Sequence, residues 1–251
     1  MGQWYTQKVI CRNGVEERTK FFVRSDVPNP KSERAKRSAR REARNAESAE
    51  RQAARLLNEN FQANGDLHLV LEYNEAEMAR LLKRAETMEG ETEEDRIFLA
   101  AQQNLVNFVR RVQRDMGDEK GELRYLGVTA DRDGKTGEPV RIHHHFVVSW
   151  EAREACLKKW RGKVLEKELY TIHGDFTPLA EYLIRQVRPV AGTKRYVPSR
   201  NLRQPRKTEP MLVTRYAESE MKVPRGCVEL YRSPYIRGAC QYLRYLRPRK
   251  E

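Results

Sequence analysis

The chain opens on two runs of alternating apolar and polar residues, QWYTQKVICRNGVEERTKFFVR (3–24), broken by Asn13-Gly14. An Asn-Gly pair between alternating runs predicts a β-hairpin, which Pro28 and Pro30 end. Residues 31–60 are rich in Arg, Ala and Glu and lack Gly and Pro, the composition of a long charged helix. Its apolar positions, Ala53, Ala54, Leu56 and Leu57, gather late. GDLHLVLEY (65–73) alternates, which places Leu67, Leu69, Leu71 and Tyr73 on one strand face and His68, Val70 and Glu72 on the other. Helices follow at 75–86 and from Thr92 onward. The second has an acidic first turn and an apolar stripe of Ile97, Ala101, Leu105, Phe108, Val109 and Val112. LRYLGVTA (123–130) and VRIHHHFVVSW (140–150) predict an antiparallel hairpin with a polar tip. A helix at 151–160, a strand near 164–170 and a helix at 178–188 come next, the last started by Thr177-Pro178 and closed by Pro189. Beyond Pro189 the pattern places no element. The order predicts an α+β fold, an antiparallel β-sheet with flanking helices. Three segments are expected: an N-terminal β-hairpin and charged basic helix (1–60), a core (61–205), and a basic C-terminal extension packed on the core (206–251).

Composition narrows the setting. No run approaches the ~20 consecutive apolar residues of a membrane span, and the N-terminus lacks a signal-peptide layout. The expectation is a cytoplasmic protein with no membrane partner. Cys11, Cys156, Cys227 and Cys240 form no CxxC pair and read as reduced, buried thiols rather than zinc ligands. Basic residues outnumber acidic ones by 49 to 36, and the stretch from Tyr182 to Glu251 alone holds 17 basic and 5 acidic residues. Such a block points to a polyanion, most often nucleic acid.

Three of the five histidines are consecutive, in RIHHHFVVSW (141–150). On a strand His143 and His145 project together while His144 turns away with Ile142 and Phe146. A His-x-His pair can hold one divalent cation, and it can equally be a pair of solvated strand histidines. On the helix at 178–188, Tyr182, Arg185 and Gln186 share a face, with Leu179, Leu183 and Val187 toward the core. A phenol beside a cation suits attack on a metal-polarised phosphate; a tyrosine at the core edge is the plain alternative.

Taken together and in order, NFQANGDLHLVLEY, VRIHHHFVVS, AEYLIRQ and the basic KRYVPSRNLRQP resemble the motifs of HUH endonucleases. More narrowly, they are similar to single-tyrosine rolling-circle replication initiators of bacterial plasmids and phages. The resemblance runs along most of the chain and implies an RRM-like core that nicks single-stranded or hairpin origin DNA. It implies Tyr182 as the nucleophile forming a 5′-phosphotyrosine link, and His143 and His145 as ligands of Mn²⁺ or Mg²⁺. Arg185 stands where a lysine is expected. Ala130 stands where relatives carry an acidic ligand, so Glu72 is the expected third ligand, with Asp131 or Asp133 next. Arg188, Lys194, Arg195, Arg200 and Arg203 are the expected DNA contacts. Tyr196, beyond Pro189, is expected to stack a base or to pack. His68 reads first as an exposed strand histidine, with a DNA contact or a supporting role beside the metal ligands as the alternatives, and His173 as a turn residue. No GxxxxGK[ST] stretch is present, so a host helicase and polymerase are the implied partners in a bacterial cytoplasm. A relaxase or transposase with the same site, or a non-catalytic DNA-binding module, are the alternatives. The tyrosine's place 37 residues after His145 argues against a relaxase.

Overall fold

The computed structural model describes residues 2–24, 39–214 and 219–248. In chain order the longer elements are β1 (Gly2–Ile10), β2 (Val15–Arg24), α1 (Ala39–Asn60), β3 (Leu67–Glu72), α2 (Glu75–Ala85), α3 (Glu93–Met116), β4 (Tyr125–Arg132), β5 (Pro139–Val148), α4 (Arg153–Lys159), β6 (Lys163–Glu168) and α5 (Thr177–Arg185). Short strands follow: β7 (Val197–Pro198), β8 (Arg206–Lys207), β9 (Met211–Leu212), β10 (Val228–Arg232) and β11 (Gln241–Leu246). The protein is α+β, and its strands pair antiparallel in two sheets. Among the described residues no helix is long and apolar enough to cross a membrane. Residues 31–38 of the expected first helix lie outside the described residues. Cys11 and Cys156 are buried as expected, but Cys227 is half-buried and Cys240 exposed; among the described residues none of the four forms a disulfide.

The chain divides into two compact units, Ala39–Arg203 and Met1–Ser38 with Gln204–Glu251. This division differs from the three segments read from the sequence. α1 packs against α5 and so belongs with the larger unit. The free edge of β2 pairs with β11, and that of β1 with β8 and β9, which joins the N-terminal hairpin to the C-terminal segment in one sheet. Backbone groups on an unpaired strand edge need partners, and here the distant chain end supplies them.

In the larger unit the sheet order is β6-β3-β5-β4-β7. The registers set Glu72 opposite His143, Val70 opposite His145, and Ala130 opposite His143 from the other side. One face, carrying Leu69, Leu71 and Phe146, meets α3: the Phe108 ring stands edge-on to Phe146 with centroids 5.4 Å apart. Gly127 makes that approach feasible, because a Cβ there would lie 3.0 Å from Leu105 Cδ2. Phe98, Phe108, Phe146, Leu57 and Leu126 are fully buried, each worth about 1.5–3 kcal/mol in burial free energy. α5 lies on the opposite face, which carries His143 and His145.

In the smaller unit the order is β10-β11-β2-β1-β8, with β9 also on β1. Asn13 Oδ1 accepts from the Val15 amide across the tight turn, and Gly14 takes a φ of 96° that favours glycine. Buried Glu16 is held by Tyr245 Oη, which donates at 2.8 Å, and by Arg247 Nε at 2.6 Å.

Candidate active site

β5 is strand-forming because PVRIHHHFVV alternates about a β-branched and aromatic backbone run. Its middle histidine points into the α3 side. His144 is fully buried, with Nε2 2.7 Å from Tyr73 Oη and Nδ1 3.0 Å from Thr129 Oγ1. Asn104 Nδ2 donates to the same Tyr73 oxygen at 3.1 Å. Burial pushes His144 down to about 3 and keeps the ring neutral.

α5 delivers the groups that face the other two histidines. Its start is prepared by the His173-Gly174 turn, both residues in the left-handed region, and His173 is thus a turn residue. The Asp175 carboxylate then accepts from the Thr177 amide and hydroxyl at 2.9 and 2.6 Å. The helix runs to Arg185, with Gln186 as its C-cap, shorter than the expected 178–188. Leu179 and Leu183 are buried on its inner side. Tyr182, 43% exposed, lies with its ring 5.6 Å from that of His145 at an interplanar angle of 64°. Gln186 is 4% exposed. Its Nε2 donates to the Tyr182 carbonyl oxygen at 3.1 Å, which turns Oε1 toward His145 Nε2, 3.2 Å away. The Gln186 carbonyl in turn accepts from the Asp131 and Arg132 amides, where β4 is bulged.

His143 Nε2 is 3.2 Å from His145 Nε2. The His143 Nδ1–H donates to the Arg141 carbonyl at 2.9 Å, so in the neutral ring Nε2 carries a lone pair. His145 Nδ1 is 3.0 Å from His68 Nε2. His68, expected to be exposed, is 4% exposed and packs in this cluster. Desolvation pushes His68 down to about 4 and holds His145 well below its ordinary range, with nearby Lys167 and the neighbouring histidines adding to the effect. Each of these two rings therefore has one N–H at neutral pH. Gln186 Oε1 can only accept, so His145 Nε2–H donates to it in one tautomer; in the other, with Nδ1–H donating to His68, the His145 Nε2 lone pair lies 3.2 Å from both His143 Nε2 and Gln186 Oε1.

That set fits a divalent cation. Adjacent donors around an octahedral ion at about 2.1 Å lie about 3.0 Å from one another, and both measured edges are 3.2 Å. The carbonyl donor suits Mn²⁺ or Mg²⁺, whereas two imidazoles favour a transition metal and so Mn²⁺ of the two; three such donors would leave positions open. Among the described residues, no group of three or more His, Cys, Asp and Glu side chains is arranged to hold a metal; the third donor here is an amide. The one-turn spacing of Tyr182 and Gln186 was its signal in the sequence.

The remaining expected residues are placed as follows. Glu72 is directly across the ladder from His143, but its carboxylate is turned to Lys163, Oε2 to Nζ 3.8 Å. Ala130 is buried on the site face and offers no ligand. Asp131 pairs with Arg188 at 2.5 Å, and Asp133 caps the β4–β5 tip, where the Thr136 and Lys135 amides lower its pKa. Arg185 is paired with Glu181 at 3.2 Å and Glu50 at 3.5 Å. Burial raises the Glu50 carboxyl, and Arg185 opposes that shift. Arg188 is held between Asp95 and Asp131, and Arg195 bonds Glu42 and the Val187 carbonyl, both at 2.6 Å. Both arginines are ion-paired within the unit. Lys194, Arg200 and Arg203 are exposed. Tyr196 is half-buried against the core, and burial raises its hydroxyl.

Compared with known proteins, the chain matches no family model, no curated protein and no solved structure.

Proposed function

We propose that the protein is a metal-dependent nicking enzyme of the HUH type, with Tyr182 as its single nucleophile and origin DNA of a rolling-circle element as its substrate. The convergence of His143 Nε2, His145 Nε2 and Gln186 Oε1 beside the Tyr182 ring carries this reading. The antiparallel order with the histidine strand at its centre supports an RRM-like core. His143 and His145 would hold the cation together with Gln186, in the place expected of Glu72. A bound Mn²⁺ or Mg²⁺ supplies Lewis-acid polarisation of the scissile phosphate. Tyr182 Oη forms the bond to phosphorus as the bond to the 3′ oxygen breaks, and that oxygen takes up the proton lost by the phenol. The products are a 5′-phosphotyrosine and a 3′-hydroxyl able to prime a host polymerase, with a host helicase opening the duplex. Lys194, Arg200 and Arg203 are the cations of the expected set available to phosphates on this unit.

A second reading, a non-catalytic DNA-binding module, has two observations in its favour. Among the described residues no carboxylate completes the donor set, and Arg185 is held by Glu50 and Glu181. One experiment separates the two. Single-stranded origin-like oligonucleotides with Mn²⁺ should give a denaturation-resistant protein–DNA adduct with the native chain and none with Tyr182→Phe. Binding without any adduct, across hairpin and linear substrates, would favour the binding module.

A further inference from the structure

The charge surplus is not in the unit that carries Tyr182. Ala39–Arg203 holds 29 basic and 27 acidic residues, whereas Met1–Ser38 with Gln204–Glu251 holds 20 and 9, a balance of +11 of the chain's +13. The sheet of that smaller unit has two unlike faces. On one, Leu243 and Tyr245 are buried under Met221. The segment from Ser219 to Met221 is pinned there: Gln241 accepts from the Met221 amide at 2.9 Å and donates to the Ser219 carbonyl at 3.0 Å, and Lys20 bonds the same carbonyl.

The other face carries an aromatic stripe across four neighbouring strands. Tyr5 and Phe21 are directly opposed, with ring centroids 6.2 Å apart and planes at 25°. Tyr242 is opposite Thr19, one diagonal step from Phe21. The Tyr242 ring is 5.9 Å from that of Tyr231, and the Arg244 guanidinium lies 5.7 Å from the Tyr231 centroid. Strand spacing makes the row about 14 Å long. Tyr231 is 48% exposed, and Tyr5, Phe21 and Tyr242 are half-buried. Exposed Lys207 stands opposite Val9 on the same face, at the β1 edge. On the face itself Glu17 stands opposite Arg244 in the ladder, and the excess of cations belongs to the unit as a whole. A single-stranded polyanion matches both the ring stripe and that excess, bases on rings and phosphates on cations, as an apolar protein partner does not.

We propose that this face binds single-stranded nucleic acid, with bases stacked on Tyr231, Tyr242 and the Tyr5–Phe21 pair and phosphates beside Arg244 and Lys207. The property belongs to the smaller unit's sheet and holds whether or not Tyr182 nicks DNA. It would let the chain retain a displaced strand without reading its sequence, because every base has a face to stack.

The test uses the full chain carrying Tyr182→Phe, in EDTA, so that neither cleavage nor metal contributes. Anisotropy is read with a labelled oligothymidylate, with an abasic oligonucleotide of the same length, and with a duplex. Tyr231→Ala and Tyr242→Ala should each weaken oligothymidylate binding about 5- to 150-fold, Tyr231→Phe should restore it, and abasic binding should be weaker and insensitive to these changes. Circular dichroism checks that each variant is folded. Exposed Tyr231 is the variant that decides if Tyr242→Ala proves unstable. Oligothymidylate affinity within twofold of the parent in folded Tyr231→Ala would overturn the proposal. So would equal binding of the abasic strand, or an equal loss on the duplex.

Discussion

His144 and His145 are consecutive, buried and neutral for the same physical reason, yet the two faces they serve behave differently. The partners of His144 are the hydroxyls of Tyr73 and Thr129, and a hydroxyl donates or accepts as required. Either tautomer of that ring is satisfied, and the network closes on itself. The partners of His145 are two imidazole nitrogens and an amide oxygen. The His143 Nδ1–H and the Gln186 amide N–H are directed at the Arg141 and Tyr182 carbonyls, so in the neutral rings only His68 and His145 bring protons to the three contacts. Burial alone thus does not tell the two histidines apart; the donors and acceptors around each of them do.

The comparison can be broken most forcefully at His144. His144→Ala should cost about 3–5 kcal/mol in urea unfolding, since it leaves a cavity and strands the Tyr73 and Thr129 hydroxyls. Mn²⁺ affinity of the folded fraction should remain that of the parent. If the affinity fell with the stability, the two faces would not be separate.

Acid is expected to act on both faces. His68 and His144 titrate at about 4 and about 3 when folded, below the ordinary value of 6.5. The unfolded chain therefore takes up protons first. Stability is complete above pH 6.5 and declines as pH falls toward 4, by on the order of 3 kcal/mol for His68 alone. Unfolding free energies measured in EDTA from pH 7.5 to 4.5 would check this; a flat profile would contradict neutral burial of the two rings.

Smaller effects sharpen the ligand side. His68→Phe removes the imidazole that orients His145 through its Nδ1 and should weaken Mn²⁺ binding by about 10- to 100-fold, read by calorimetry. Gln186→Ala should fall in a similar range, and Gln186→Glu should restore or exceed the parent's affinity. The smallest change is expected for Glu72→Ala. Its partly exposed pair with Lys163 contributes at most about 1 kcal/mol, and Mn²⁺ affinity should move less than about threefold. A tenfold loss would return Glu72 to the ligand set.

Much of this was legible in the chain. Period-two alternation in LHLVLEY and IHHHFVV was enough to divide the histidines between faces, and the structure has Leu69, Leu71, Tyr73 and His144 on one side as that period requires. Helical spacing was enough to put Tyr182 and Gln186 on one side of α5. These are local properties, because backbone geometry converts sequence separation directly into direction. Pairing was not local. That His68 would be sealed against His145, that a bulge at Ala130–Arg132 would tie β4 to Gln186, and that Arg188 would be consumed by Asp95 and Asp131 depended on contacts between segments far apart in the chain. The same holds for the smaller unit, where β11 found β2 across more than two hundred residues. Sequence by itself determined which side chains could point together; only the tertiary structure decided which of them meet, because partner choice is set by packing and desolvation across the fold and not by the local period.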